Sequence, residues 1–411
     1  MKAASAMQAI LFAAGAGIGS PLTARLVFAE ETEETETQRN SVIWIGQGEG
    51  TSLEAVFLNG QKDQIYLGSY YQSDTSGETK DPVLWNVLEA GEDSLYLLAA
   101  QVLDAKEYQS PHATSISWET CTLRSWLNSD TGFLGTAFSE IERNALAATE
   151  VTYDKSAQGD DLASCVDTVT ILSYAEALNT DYGFDKRPVD QSELRIAYYT
   201  AYSAEKLGAT VDTAAKWWLR SLGTNIMNAS FVDTTGKVLD YQSSYLDAAD
   251  TTTAVRPATW LSESAVVYVT ADDTDKTGNF SETSMAESGE GAIWYIAVSD
   301  GNEDFQAECE ETSAAVGDTI SVTVTSLGDD VYAQIYTQIT AVLLDEDGTV
   351  LALGKAGDAQ EGELEIALPD DISGESCTLK VFAECVHAGQ EGEESWTDFC
   401  SNVTEFAIEL A

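Results

Sequence analysis

Beyond residue 300 apolar and polar positions alternate. Ile320, Val322 and Val324 are separated by polar residues. Val342-Leu343-Leu344 and Val350 flank the turn Asp345-Glu346-Asp347-Gly348. Leu364, Ile366 and Leu368, then Leu379 and Val381, then Phe406, Ile408 and Leu410 keep the same period of two. Successive side chains of a strand face opposite ways, so short alternating runs broken by turns predict an antiparallel β-sandwich.

Upstream the pattern is mixed. Ile65-Tyr66-Leu67 reads as a strand closed by Gly68, and 83–88 with 95–99 as a hairpin around Ala90-Gly91-Glu92-Asp93. Leu123, Trp126 and Leu127 make one apolar helical face. Ser139-Glu140-Ile141-Glu142 and Ser173-Tyr174-Ala175-Glu176 are capping boxes, and another helix ends near Leu207-Gly208. Strands return at 217–221, at 230–232 with 237–239 around Asp233-Thr234-Thr235-Gly236, and at 255–261, where Pro257 demands an edge or terminal position. The polar, turn-rich stretch 272–291 marks a boundary. These elements predict an α+β domain over 64–271 and a sandwich over 292–411, after an acidic leader and first strand region at 30–63.

Composition sharpens this picture. The chain of 411 residues carries 20 Lys+Arg against 69 Asp+Glu, a formal net charge of −49. Phosphate backbones and anionic lipids are bound by clustered cations, so nucleic acid is excluded as a partner of the ordinary kind. A hydrophobic fraction of 44% is enough for a sizeable core.

Lys2, the small and apolar residues from Ala9 to Leu22 and the small-x-small Val27-Phe28-Ala29 predict a signal peptide over 1–29. Glycines and Pro21 break that stretch, and no other run approaches the ~20 apolar residues of a spanning helix, so no membrane span is expected in the mature chain. The expected location is secreted or cell-surface. An exported chain with six cysteines permits three disulfides. Six cysteines allow 15 connectivities. The expected one joins Cys385 to Cys400 across the 386–399 connection, leaving Cys309 with Cys377 and Cys121 with Cys165.

Catalytic chemistry finds little footing. His112 and His387 are the only histidines, neither beside a nucleophile motif, and His112 in Ser110-Pro111-His112-Ala113-Thr114 reads as a solvated loop residue. Among 69 acidic residues some carboxylate pair always suits glycoside hydrolysis, so such a pair carries almost no signal. Asp273 to Asn279 starts like a calcium loop, but its twelfth position is Ser284 and not Glu, and the segment reads as a polar linker. No metal or cofactor is expected. Trp85, Trp126, Trp217 and Trp218 read as core, and Arg220 and Arg256 as half-buried structural clamps. The polar stretch 241–253 is longer than a hairpin needs, which marks Tyr241, Tyr245, Asp247 and Asp250 as candidate ligand contacts; a plain solvated loop is the competing account.

Several segments in order resemble one family: Tyr66-Leu67-Gly68-Ser69-Tyr70-Tyr71-Gln72-Ser73, Pro82-Val83-Leu84-Trp85-Asn86-Val87-Leu88, Leu123-Arg124-Ser125-Trp126-Leu127-Asn128, Ala137-Phe138-Ser139-Glu140, Trp217-Trp218-Leu219-Arg220-Ser221 and Val255-Arg256-Pro257-Ala258. Residues 64–261 resemble the DUF6273 domain family of exported proteins from Gram-positive, often gut-dwelling bacteria. Trp294 to Asp300, Cys377 to Glu384 and Thr397 to Ser401 are similar to the module on the C-terminal side of that domain in large surface proteins. The resemblance implies a C-type-lectin-like mixed domain whose loops, here 241–253, form the ligand surface. It also implies that Cys121, Cys377, Cys385 and Cys400 replace other residues, a local addition. The function implied is non-catalytic binding or adhesion, with a glycan or protein ligand. A glycan-acting enzyme and a structural envelope spacer are the alternatives.

Overall fold

The computed structural model describes residues 39–57, 62–113, 115–154, 162–223, 227–239, 246–247, 250–271, 278–280, 287–289, 291–387 and 395–411. Most of the calcium-like segment 273–279 and most of the expected linker lie outside these residues. The fold is β-rich, with 43% strand and 14% helix. That corrects the expected α+β class with a lectin-like mixed domain. The helices are real but short: Thr122–Leu127, Glu140–Ala145 and Ala201–Leu207 are the longest among the described residues. The Ser139 capping box forms, and Gly208 ends its helix in the left-handed region at φ 61. Each helix stops within two turns, because Asn128, Leu146 and Gly208 leave helical geometry there. The apolar runs between them pair into strands.

The strand Ile293–Ser299 joins the two ends of the largest sheet among the described residues. Its first half pairs in parallel with Gln64–Tyr70, through Ile293 opposite Gln64 and Trp294 opposite Ile65. Its second half pairs in parallel with Asp398–Cys400, through Ala297 opposite Asp398. Its other edge runs antiparallel to Val266–Thr270, which in turn pairs with Val42–Trp44. One sheet of 14 strands therefore runs from the 81–90 and 94–99 hairpin into the C-terminal strands. The side chains divide as the pleat demands: Trp294, Ile296 and Val298 enter the largest core, and Ala297 enters another beside Trp44, Tyr268 and Phe382.

In the C-terminal part, Gln338–Leu344, Val350–Asp358, Ser376–Cys385 and Thr404–Leu410 pair antiparallel. The smaller sheet of Phe305–Cys309, Thr319–Leu327 and Gly362–Ala367 packs against them. Ile320, Val322, Val324, Leu364 and Ile366 meet Ile339, Ala341, Leu379 and Val381 in the space between. This is the sandwich that the period-two pattern predicts, and Asp345 to Gly348 makes its hairpin turn, with the Gly348 N–H donating to the Asp345 carbonyl. The outer face of its larger sheet is covered too, by the strands at 42–44 and 266–270.

The expected disulfides do not form: none of the six cysteines is joined to another. Register explains the first pair. Cys385 stands opposite Phe399 and Cys400 opposite Glu384, one residue out of step, so the two thiols point to opposite faces of the sheet. Cys377 is buried inside the sandwich opposite Ile408, while the Cys309 thiol donates to the Glu311 carbonyl at 3.5 Å. Cys121 caps the 122–127 helix, its Sγ accepting from the Arg124 N–H at 3.4 Å, and the Cys165 thiol faces Asp167. Alkylation of the unreduced protein in denaturant, read by intact mass, should label all six cysteines; recovery of any disulfide-linked peptide would contradict this arrangement.

Candidate functional site

The residues singled out in the sequence lie in different places. Trp85, Trp217 and Trp218 are fully buried, and their indole N–H groups donate to the carbonyls of Leu67, Arg195 and Lys106. Trp126 is half-buried, with the Lys106 ammonium 5.1 Å from its ring centre. Arg220 is 2% exposed and grips Glu176 with both guanidinium nitrogens, at 2.6 and 2.7 Å, while donating to the carbonyls of Ile171 and Thr152. Arg256 donates instead to the carbonyls of Ala99 and Leu194 and stacks over Trp217 at 5.2 Å. Burial pulls its guanidinium down to about 9. Arg195, which no motif singles out, is fully buried and donates to the carbonyls of Gly236, Ala177, Asp185 and Asp190. Its lone signal in the sequence is a charge in an otherwise loop-like stretch.

Tyr241 and Tyr245 lie outside the described residues. Asp247 sits in a two-residue strand opposite Asn228. Asp250 is bound to Lys216 at 3.1 Å and accepts from the hydroxyls of Thr252 and Thr253. Burial pushes its carboxyl up, but those donors outweigh it and hold the group below the usual range.

A wide concavity lies elsewhere. It is a cleft of about 790 Å³ between the short helices of the first part and the sandwich. Gly68 fixes one wall. It has φ 70, and a Cβ there would stand 2.6 Å from the Ala137 carbonyl, so only glycine lets Phe133–Ala137 press onto the 64–70 strand. Ser139, Glu140, Glu142 and Asn144 continue that wall, and Tyr332, Ile335 and Thr337 form the one opposite. Cys385, Phe399, Ser395, Asp300, His387 and Lys80 also line the cleft.

Two buried carboxylates are fixed here. Glu142 accepts from the Ser139 N–H at 2.8 Å and from the Ser395 hydroxyl at 3.0 Å, which ties the first part to the end of the chain. Asp300 accepts from the Tyr336 hydroxyl and the Asn302 N–H, both at 2.7 Å, and burial pushes its carboxyl up. Burial, with Asp398, Glu384 and Asp300 nearby, pushes the Cys385 thiol up to about 11, so it stays protonated at neutral pH and is a poor nucleophile. Sequence spacing could not reveal this site, because its residues span positions 69 to 399.

Residues 92–263 match the family described as "Domain of unknown function (DUF6273)". No curated protein matches the chain. Among solved structures, the adhesin domain of Epf from Streptococcus pyogenes is aligned at 12% identity over 38% of this chain and 47% of that one, with a TM-score of 0.17. So low a TM-score carries no argument about fold or function. The matched segment supports the DUF6273 resemblance and spans the region that holds Arg195, Arg220 and Arg256.

Two substitutions test the polar interior. Arg220→Met leaves the Glu176 carboxylate and two carbonyls without their donor, and should lower the unfolding free energy by roughly 3 kcal/mol in urea titrations; Arg220→Lys should recover only part, since an ammonium lacks the fork. Asp300 has the opposite consequence for pH. Its proton is held more tightly in the folded state, so its contribution is full below the unfolded value of about 4 and is lost as pH rises through the higher folded value. Asp300→Asn keeps an acceptor for Tyr336, and its melting temperature should gain on the wild type as pH rises from about 4 to neutral. Parallel curves would show that Asp300 ionises freely.

Proposed function

We propose that this chain is a non-catalytic binding protein, acting at the cell surface or outside the cell, and that the cleft between the short helices and the sandwich takes its ligand. The observation that carries this reading is the cleft's construction. Its walls come from packed helices and strands, and its buried carboxylates are held by hydrogen bonds from the fold, as a preformed recognition surface requires. Its one lining thiol is kept protonated. The net charge of −49 favours a neutral glycan or a basic protein segment over an acidic polymer. The signal-like segment 1–29 supports the extracellular setting.

Arrays of glycans and of basic peptides, probed with the intact protein, should show retention. Tyr332→Ala on the cleft wall should weaken it by about tenfold or more, since a Tyr at the centre of an interface commonly contributes over a kcal/mol. If the joint change of Tyr241 and Tyr245 to alanine abolishes retention and Tyr332→Ala does not, the 241–253 stretch is the site. Turnover of a glycan by the wild type would replace the binding reading with an enzymatic one.

A further inference from the structure

A second concavity, of about 580 Å³, lies on the other side of the 42–44 strand from the main core. One wall is the loop Gly46-Gln47-Gly48-Glu49-Gly50, and the other is the hairpin turn at Asp347-Gly348. The loop has an unusual backbone. Gly46, Gln47 and Gly48 are all left-handed, with φ of 57, 57 and 92. Glycine enters that region freely, so of the three Gln47 alone, an L-residue, carries the cost. A connection from a strand to the four-residue helix Leu53–Val56 has no need of such a path.

The loop is nonetheless built tightly. The N–H groups of Gly48 and Gly50 both donate to the Ile45 carbonyl, and that of Thr51 to the Trp44 carbonyl. A Cβ at Gly46 would stand 2.6 Å from the Trp44 indole nitrogen, and one at Gly50 the same distance from the Trp44 carbonyl. Glycines clamped onto a buried indole hold a shape whose result is to carry Gln47 and Glu49, both exposed, along the wall of the groove. Strain held in place by its surroundings is a signature of recognition sites.

The chemistry of the groove selects the ligand. Lys380 is one of only two cations after residue 300, but it lies over the Trp44 ring at 5.0 Å and is already paired with Glu405. Glu49 and Asp347 add negative charge, which disfavours phosphate and acidic glycans. What remains is an amide, a hydroxyl at Thr51 and carboxylates, a mixture of donors and acceptors that matches groups able to do both. We infer that this groove binds a neutral, hydroxyl-rich oligosaccharide through Gln47 and Glu49. The inference rests on the reading of the chain as a binding protein, but uses a site separate from the cleft.

The test uses the full chain on an array of neutral oligosaccharides built from hexoses and N-acetylhexosamines, with basic peptides printed beside them. Gln47→Gly removes the amide and keeps the left-handed backbone, so it should leave the melting temperature equal or higher while weakening oligosaccharide binding by about tenfold, the loss expected for a hydrogen bond or two. Glu49→Ala should act in the same direction; a neutral oligosaccharide whose binding falls in Tyr332→Ala but not in Gln47→Gly or Glu49→Ala is held by the cleft and counts against the groove. Unchanged oligosaccharide binding in both groove variants overturns the inference, as does a wild type that retains only basic peptides. Basic-peptide binding that is lost in Tyr332→Ala would overturn the groove alone and leave the proposed function standing.

Discussion

Everything in this fold depends on how one strand shares its hydrogen bonds. Along one edge, residues 293–299 give their first half to the 64–70 strand and their second half to the 398–400 strand. The other edge is filled by 266–270. No hairpin could supply the parallel pairings, because parallel neighbours need long crossovers. The long route between positions 70 and 293 is such a crossover, and it contains the matched DUF6273 segment. Its middle is buried on both faces by the cores packed there, Trp294, Ile296 and Val298 on one side and Ala297 on the other, while Ile293 at its start stays exposed. The cleft exists because this strand holds the 64–70 strand, and the helix seated on Gly68, against the base of the sandwich.

Inside the region of short helices, polar groups replace apolar packing. Arg195, Arg220 and Arg256 each lie almost wholly out of water, yet each answers to carbonyls from segments far apart in sequence. A loop cannot bury its carbonyls without donors. A guanidinium offers five donors in a fixed fork, so one arginine can tie several loops at once. That is how a region with several two-residue strands keeps a definite shape. Of these three arginines, Arg220 is matched by a carboxylate; burial pulls its guanidinium down as well, but Glu176 beside it outweighs that and holds it above the usual value. Arg256 has carbonyls and an indole face, and its guanidinium is pulled down accordingly.

Legibility in the sequence tracked the range of the interactions. The sandwich strands were plain, because Ile320, Val322 and Val324 alternate against solvent on one face and meet the interior on the other. The hairpin at 81–99, the capping box at Ser139 and the helix stop at Gly208 were equally local. The α+β class was misjudged because short helices leave strong local signals, whereas the pairing of 293–299 with the 64–70 strand, more than 200 residues away, leaves none. The disulfide scheme failed on register: a connection of suitable length brought Cys385 and Cys400 onto paired strands, but one residue of offset turned them apart. The cleft was invisible for the same reason as the sheet. Glu142 and Ser395 are 253 positions apart, and nothing in either neighbourhood names the other.

The charge balance acquires a different meaning once the arginines are placed. The chain has 20 basic residues, and Arg195, Arg220 and Arg256 are spent inside on carbonyls and on Glu176. Lys380 is nearly buried and paired with Glu405. Lys206 and Lys216 are held by Asp104 and Asp250. The cations are thus drawn into holding the fold, while many carboxylates of the sandwich, such as Glu363 and Glu365 on the 362–367 strand, face water. A surface left so acidic repels copies of itself and other anionic polymers beyond contact range, at least within the ~8 Å Debye length of physiological salt. The same net charge that keeps the protein apart from its own kind disfavours anionic groups near its surface relative to neutral or cationic ones.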